Sequence, residues 1–234
     1  MRNPIIVALD LPDATAAIQL ARDVAPFVGA FKVGKELFVA AGPEIVRELR
    51  STGAPVFLDL KFHDIPNTVA RAVAAATRLD VQMLTIHCSG GSAMMRAAEQ
   101  AAQATARELD RPAPLVLGVT VLTSMDSTAL SELGGESDPA AQVRRLALLA
   151  AGAGLRGLVC SPLELPTLRP LLPPTMQLVT PGIRAASDAS DDQKRTLSAR
   201  EAMSAGSSWL VVGRPIYAAA DPAAAARALF ASLA

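Results

Sequence analysis

Cysteine, histidine and net charge are all scarce in this 234-residue chain, and each scarcity removes a class of function. The two cysteines, Cys88 and Cys160, stand far apart, form no C-x-x-C pattern and lie in apolar runs. Cysteines so placed act as small core residues, so neither a disulfide framework nor a structural metal site is expected, and the usage suits a reducing cytosol. The only histidines, His63 and His87, have no companions in the pattern of a metal cluster or a general-base array, and both read as hydrogen-bonded structural residues. Lys plus Arg and Asp plus Glu both number 22, so the formal charge is zero and gives no electrostatic case for nucleic acid or a membrane surface as partner. Any anion that binds must therefore meet a local site. The N-terminal apolar run, Ile5 to Leu9, is too short for a signal sequence or a membrane span, so the chain is expected to be soluble and cytoplasmic.

What the chain has is apolar bulk: 51% of it is hydrophobic, enough to bury a full core. Trp209 and the phenylalanines read as part of that core rather than as stackers of a nucleobase. Short aliphatic runs alternate with Ala-rich, helix-compatible stretches. The runs read as strands are 5–10, 30–33, 55–60, 81–87, 115–120, 157–160, 176–180 and 209–213. Helices are expected over 13–25, 43–51, 66–78, 92–109, 139–151, 162–168, 193–205 and 221–233. Asp13, Ser92, Asp138 and Ser161 stand near their N-caps, and Pro43, Pro66, Pro139 and Pro162 in their first turns.

Strict βα alternation implies parallel strands with helices outside, and eight repeats close a barrel. The expected fold is α/β, a single (β/α)8 barrel forming one catalytic domain over residues 1–234. An open doubly wound sheet is the alternative, but no G-x-G-x-x-G follows the first strand. No composition shift or Pro/Ser-rich linker marks a boundary. The longest irregular polar stretch, 182–192, follows the seventh strand, where barrel enzymes place active-site loops.

A barrel strand should be apolar through its interior, so charges at its C-terminal end call for an explanation. Asp10 follows the first strand, Lys32 lies in the second, Asp59 and Lys61 end the third, and Gly213-Arg214 follows the eighth. Strand period two puts Asp59 and Lys61 on one face. Structural ion pairs plugging the mouth are one reading. A reaction site is the stronger one, because the charges converge where barrel chemistry sits. Two aspartates and two lysines would keep one another ionised. Lys61 could then deliver a proton beside the fixed negative charge of Asp59, which suits a reaction that develops a carbanion.

The segment Asp59-Leu60-Lys61-Phe62-His63-Asp64-Ile65-Pro66-Asn67-Thr68 resembles the D-x-K-x-x-D-I-x-N-T signature of the orotidine 5′-phosphate decarboxylases. Further blocks resemble that family in order: Val7-Ala8-Leu9-Asp10, Phe31-Lys32-Val33-Gly34, Val121-Leu122-Thr123-Ser124-Met125, Thr180-Pro181-Gly182-Ile183-Arg184 with Asp192-Gln193-Lys194-Arg195, and Val211-Val212-Gly213-Arg214-Pro215-Ile216. Metal-dependent sugar-phosphate decarboxylases and aldolases share the D-x-K-x-x-D element, but typically carry a carboxylate where this chain has Lys32. A lysine there would repel a divalent cation. A non-catalytic nucleotide-phosphate binder would be expected to have lost Lys61 or an aspartate, and none is missing.

The resemblance implies conversion of orotidine 5′-phosphate to UMP and CO2 with no cofactor and no metal. It implies that Asp59 sits against the substrate carboxylate and that Lys61 stabilises and protonates C6. Lys32 and Asp64 hold the charge alternation, and Lys32 and Asp10 meet ribose hydroxyls. Thr123 and Ser124 contact the pyrimidine, while Pro181, Arg184, Gln193, Gly213 and Arg214 surround the phosphate. It further implies a homodimer in which Asp64, Ile65 and Thr68 reach into the partner's site.

Overall fold

The computed structural model describes residues 3–134, 136–183 and 197–233. Eight parallel strands close into a barrel in sequence order, with β8 paired back onto β1. They are β1 (Ile5–Ala8), β2 (Ala30–Gly34), β3 (Val56–Phe62), β4 (Met83–His87), β5 (Leu115–Val119), β6 (Gly157–Val159), β7 (Gln177–Thr180) and β8 (Trp209–Val212). The outer helices are α1 (Ala14–Val24), α2 (Lys35–Ala41), α3 (Glu44–Arg50), α4 (Pro66–Arg78), α5 (Gly91–Glu108), α6 (Ser127–Glu132), α7 (Pro139–Gly152), α8 (Leu165–Leu168), α9 (Ala199–Ser204), α10 (Arg214–Tyr217) and α11 (Pro222–Ala231). No helix among the described residues is long and apolar enough to cross a membrane.

Strand periodicity separates two cores. Alternate residues such as Ile6, Ala8, Phe57, Met83, Val179 and Trp209 fill the barrel interior. Their neighbours Ile5, Val7, Phe31, Leu58 and Leu84 pack outward against the helices, where Ala17, Ala21, Ala98 and Ala147 allow close approach. Each large aliphatic or aromatic side chain so buried contributes about 1.5–3 kcal/mol. Both cysteines are buried and unpaired in the outer core, and burial pushes the Cys88 thiol up to about 12.

Helix starts follow the local chemistry. The Asp13 carboxylate accepts the Ala16 amide at 2.8 Å, and Asp138 accepts that of Ala140 at 3.0 Å. Pro66, Pro139 and Pro222 open their helices, where the missing N–H costs nothing. Three expectations shift. Helix α5 begins at Gly91 behind Gly90, not at Ser92, and Pro43 is the N-cap of α3 rather than a first-turn residue. The stretch after Ser161 opens as a 3-10 turn, Pro162–Glu164, before α8. Helices α2, α6 and α10 were not anticipated; at 7, 6 and 4 residues they are too short to carry a readable apolar period.

Candidate active site

Four strands, β1, β5, β6 and β8, end one or two residues earlier than their apolar runs, so Asp10, Thr120, Cys160 and Gly213 fall on the loops that follow. This places the charged residues at the C-terminal mouth. Register pairs Ala8 with Lys32 and Lys32 with Phe57, two positions below the pair Gly34 and Asp59. The lysine stem therefore rises along the interior to bring its ammonium level with the carboxylates. Lys61 Nζ lies 2.8 Å from Asp59 Oδ1, Lys32 Nζ lies 3.9 Å from Asp59 Oδ2, and Lys32 Nζ lies 2.7 Å from Asp10 Oδ1. The result is a row of alternating charge, Lys61, Asp59, Lys32, Asp10, drawn from three adjacent strands. Gly34 makes room for it, since a Cβ there would stand 3.0 Å from Asp10 Oδ1 and 3.2 Å from Lys32 Nζ.

The side chains of Lys32 and Asp59 are only 11% and 13% exposed, whereas Asp10 is 49% exposed. Removing a charge from water costs several kcal/mol, and apolar residues of like volume would close the mouth at less expense. Retaining four charges here therefore points to chemistry rather than to stability. Burial works against ionisation of Asp59, yet Lys61, then Lys32, then hydrogen bonds from Lys61 and Thr85 outweigh it and hold the carboxyl below its ordinary range.

Lys61 does not reach the cavity as a regular strand residue. Its φ is +54°, and the β3–β4 register slips between Leu58 and Phe62. Period two alone was thus too simple a reason for Asp59 and Lys61 to share a face. A non-glycine residue held in the left-handed region costs about 1–2 kcal/mol, and such strain collects at functional sites.

The mouth opens onto a cavity of about 700 Å³. Asp10, Lys32, Asp59 and Lys61 line it together with Thr123, Ser124, Pro181, Gly213 and Arg214. Phe57, Val119, Val159 and Val211 make an apolar floor. A Cβ at Gly213 would stand in ordinary contact with Tyr217 at 3.4 Å and Ala8 at 3.7 Å, so the backbone there is closely lined but not crowded. The volume and mixed lining suit a small polar ligand of nucleotide size.

Asp64, Ile65 and Thr68 do not join the cavity of their own chain. They lie exposed on the turn into α4 and its first residues; Ile65 is 66% exposed, and the Asp64 carboxylate accepts the Ile65 amide at 2.6 Å. Arg184 and Gln193, and most of the 182–192 stretch, lie outside the described residues. Ile183 and Leu197, both described, meet in a parallel bridge.

The histidines depart from expectation. Among the described residues no hydrogen bond reaches either ring; the rings instead lie tilted at 45° with centroids 5.6 Å apart. Burial first, then the His63, Lys61 and Lys35 charges, push His87 below its ordinary value. Sequence reasoning also missed Thr85 and Tyr217. Tyr217, on α10, lines the cavity one turn beyond Arg214, a position set by a helix too short to foresee. Thr85 did leave a signal: it is a polar residue at interior parity with Met83 on β4.

A closed (β/α)8 barrel with lysines and aspartates alternating around the mouth of its cavity is laid out as a barrel enzyme. The chain belongs to the orotidine 5′-phosphate decarboxylase / HUMPS family, whose model matches residues 3–229. An orotidine 5′-phosphate decarboxylase of Pseudomonas savastanoi pv. phaseolicola is 52% identical over 233 residues, covering 100% of this chain and 98% of that protein. One from Moorella thermoacetica is 51% identical, covering 99% of this chain and 92% of that protein. The crystal structure of orotidine 5′-phosphate decarboxylase from Lactobacillus acidophilus superposes with a TM-score of 0.87 at 37% identity, covering 99% of each chain.

Proposed function

We propose that this chain catalyses decarboxylation of orotidine 5′-phosphate to UMP and CO2, the last step of UMP synthesis, as one cytoplasmic catalytic domain. The observation that carries the reading is the row Lys61, Asp59, Lys32, Asp10 at the barrel mouth. Relatives at 51–52% identity bear the decarboxylase name along their whole length, which favours this branch of the family.

Decarboxylation breaks the bond from C6 to its carboxylate and leaves the electron pair on C6. With no electron sink in the pyrimidine, the barrier reduction required is on the order of 20 kcal/mol. Preorganised charge can supply it in a site shielded from water. Asp59, fixed as an anion, stands against the substrate carboxylate, and their repulsion vanishes as CO2 departs. The Lys61 ammonium stabilises the developing carbanion and then gives C6 a proton: one N–H bond breaks, one C–H bond forms, and solvent restores the ammonium. Lys32 keeps Asp59 from rejecting the substrate outright and, with Asp10, meets ribose hydroxyls. Thr123 and Ser124 contact the pyrimidine, and Pro181, Gly213 and Arg214 frame the phosphate; Arg184 and Gln193 belong to the same phosphate site.

The functional unit in this reading is a homodimer. Asp64, Ile65 and Thr68 are exposed and outside their own cavity, which is where residues serving a two-fold partner would stand.

The metal-dependent branch is separated by one experiment. Orotidine 5′-phosphate is supplied to protein dialysed against EDTA, and UMP and CO2 are measured. Full turnover under chelation is expected. Loss of activity that Mg²⁺ restores would assign the chain to the sugar-phosphate branch, because Lys32 would then not be filling the cation's place.

A further inference from the structure

Interior-facing positions on β4 run Met83, Thr85, His87 at period two, and the middle one carries a hydroxyl into the barrel just below the reacting groups. Thr85 is 0% exposed and does not itself line the cavity. Its Oγ1 accepts the backbone N–H of Lys61 at 2.9 Å and lies 2.9 Å from Asp59 Oδ1. The amide can only donate and the carboxylate can only accept. The single hydroxyl hydrogen is therefore committed to Asp59, and the direction of both bonds is fixed.

Each bond answers a particular difficulty. The slip between Leu58 and Phe62 interrupts the β3–β4 ladder beside Lys61, which sits at φ +54°. Its amide would otherwise be buried without a partner, and Thr85 supplies one. Asp59 faces a different problem. Both its oxygens take hydrogen bonds from Lys61 Nζ, at 2.8 Å each. In the proposed reaction that ammonium becomes a neutral amine. The amine keeps N–H donors but no charge, so Asp59 then has Lys32, 3.9 Å away, as its cation and still holds the Thr85 hydroxyl. Thr85 is the neutral donor that stays in place throughout, neither gaining nor losing a proton.

We infer that Thr85 is a positioning residue for the decarboxylation: its hydroxyl holds the Asp59 carboxylate and the Lys61 backbone in fixed relation while Lys61 delivers its proton to carbon. The inference rests on the reading of Lys61 as proton donor. A carboxylate released from Thr85 could turn to follow the lysine and compete with C6 for its proton. A lysine whose amide is released could leave the left-handed turn and withdraw its ammonium from the cavity.

The test compares Thr85→Val, Thr85→Ser and Thr85→Cys with wild type. Turnover of orotidine 5′-phosphate, UMP affinity and the pH dependence of kcat are measured for each. Valine keeps the shape and removes the hydroxyl; serine restores it without the methyl; cysteine offers a weak donor. Thr85→Val should lose about tenfold to a hundredfold in kcat, the scale of one hydrogen bond to a charged group, with UMP affinity changed far less. Its acidic limb should move to higher pH, because Asp59 has lost a donor to its charged form. Thr85→Ser should recover to within a few-fold of wild type, with Thr85→Cys between serine and valine. If Thr85→Val does not fold, the order serine above cysteine carries the same comparison. Wild-type kcat in Thr85→Val, or an order that follows side-chain volume rather than donor strength, overturns the inference. A Lys61→Ala control separates the two readings. Turnover in that variant overturns both, whereas an inactive Lys61→Ala beside an unimpaired Thr85→Val overturns the Thr85 role alone.

Discussion

Lys32 is shared between two carboxylates, 2.7 Å from Asp10 and 3.9 Å from Asp59, although the three residues come from three different strand ends. The shorter contact is to the half-exposed partner and the longer one to the buried partner. Lys32 thus neutralises part of the Asp59 charge without capping it, which leaves that carboxylate able to act on a substrate.

Asp59 should report its pairing in acid. Its folded-state carboxyl titrates below the ordinary value of 3.8, because Lys61 and Lys32 together overcome the opposing effect of burial. The unfolded chain therefore takes up the proton first as the pH drops. The stabilisation from its ionised form is present above 3.8 and is lost as the pH falls through the lower folded value. Asp59→Asn should accordingly be less stable than wild type at neutral pH, and the gap should close below the ordinary carboxylate range. Denaturant midpoints measured for both proteins across that range check it; a gap independent of pH would contradict the pairing.

Arg214 should matter to catalysis as well as to binding. It lines the cavity together with Gly213, the pair proposed to frame the phosphate. A hydrogen bond to a charged group contributes about 1.5–3 kcal/mol, so Arg214→Ala should lower kcat/KM on the order of tenfold to a hundredfold. Orotidine without its phosphate should be a far poorer substrate, and added phosphite should restore part of its turnover. A nucleoside that reacts as well as the nucleotide would remove Arg214 from the phosphate site.

Subunit mixing tests the shared site. Lys61→Ala and Asp64→Ala homodimers should each be nearly inactive. Hybrids formed on exchange carry both lesions in one site and none in the other, so about a quarter of all sites should be intact after equal mixing. Activity should recover toward that fraction as mass spectrometry records exchange. No recovery after verified exchange would mean that Asp64 serves its own chain.

The barrel was legible in the sequence because all eight strands are apolar runs flanked by turn residues and capped helices, and those signals are local. Asp10, Lys32, Asp59 and Lys61 stood out in the sequence because charge interrupts otherwise apolar strands there, and the fold brings all four together at the mouth. What escaped depends on geometry that no local pattern encodes. The left-handed turn at Lys61 arises from a register slip between two strands. Thr85 gains its role only through that slip, which brings an amide and a carboxylate to one hydroxyl. The His63–His87 ring contact joins a loop residue to a strand end 24 positions later, and neither ring bears a hydrogen bond of the kind expected among the described residues.

The central claim is that the Lys61 ammonium, held by Asp59, carries out the proton delivery on which decarboxylation depends. Loss of orotidine 5′-phosphate absorbance, measured for wild type and Lys61→Ala with UMP affinity determined in parallel, tests it most directly. Wild type should convert it steadily to UMP, and a folded Lys61→Ala protein that still binds UMP should show no detectable turnover. A Lys61→Ala rate above about a tenth of wild type, far too small a loss for removal of the group that supplies the proton, would contradict it.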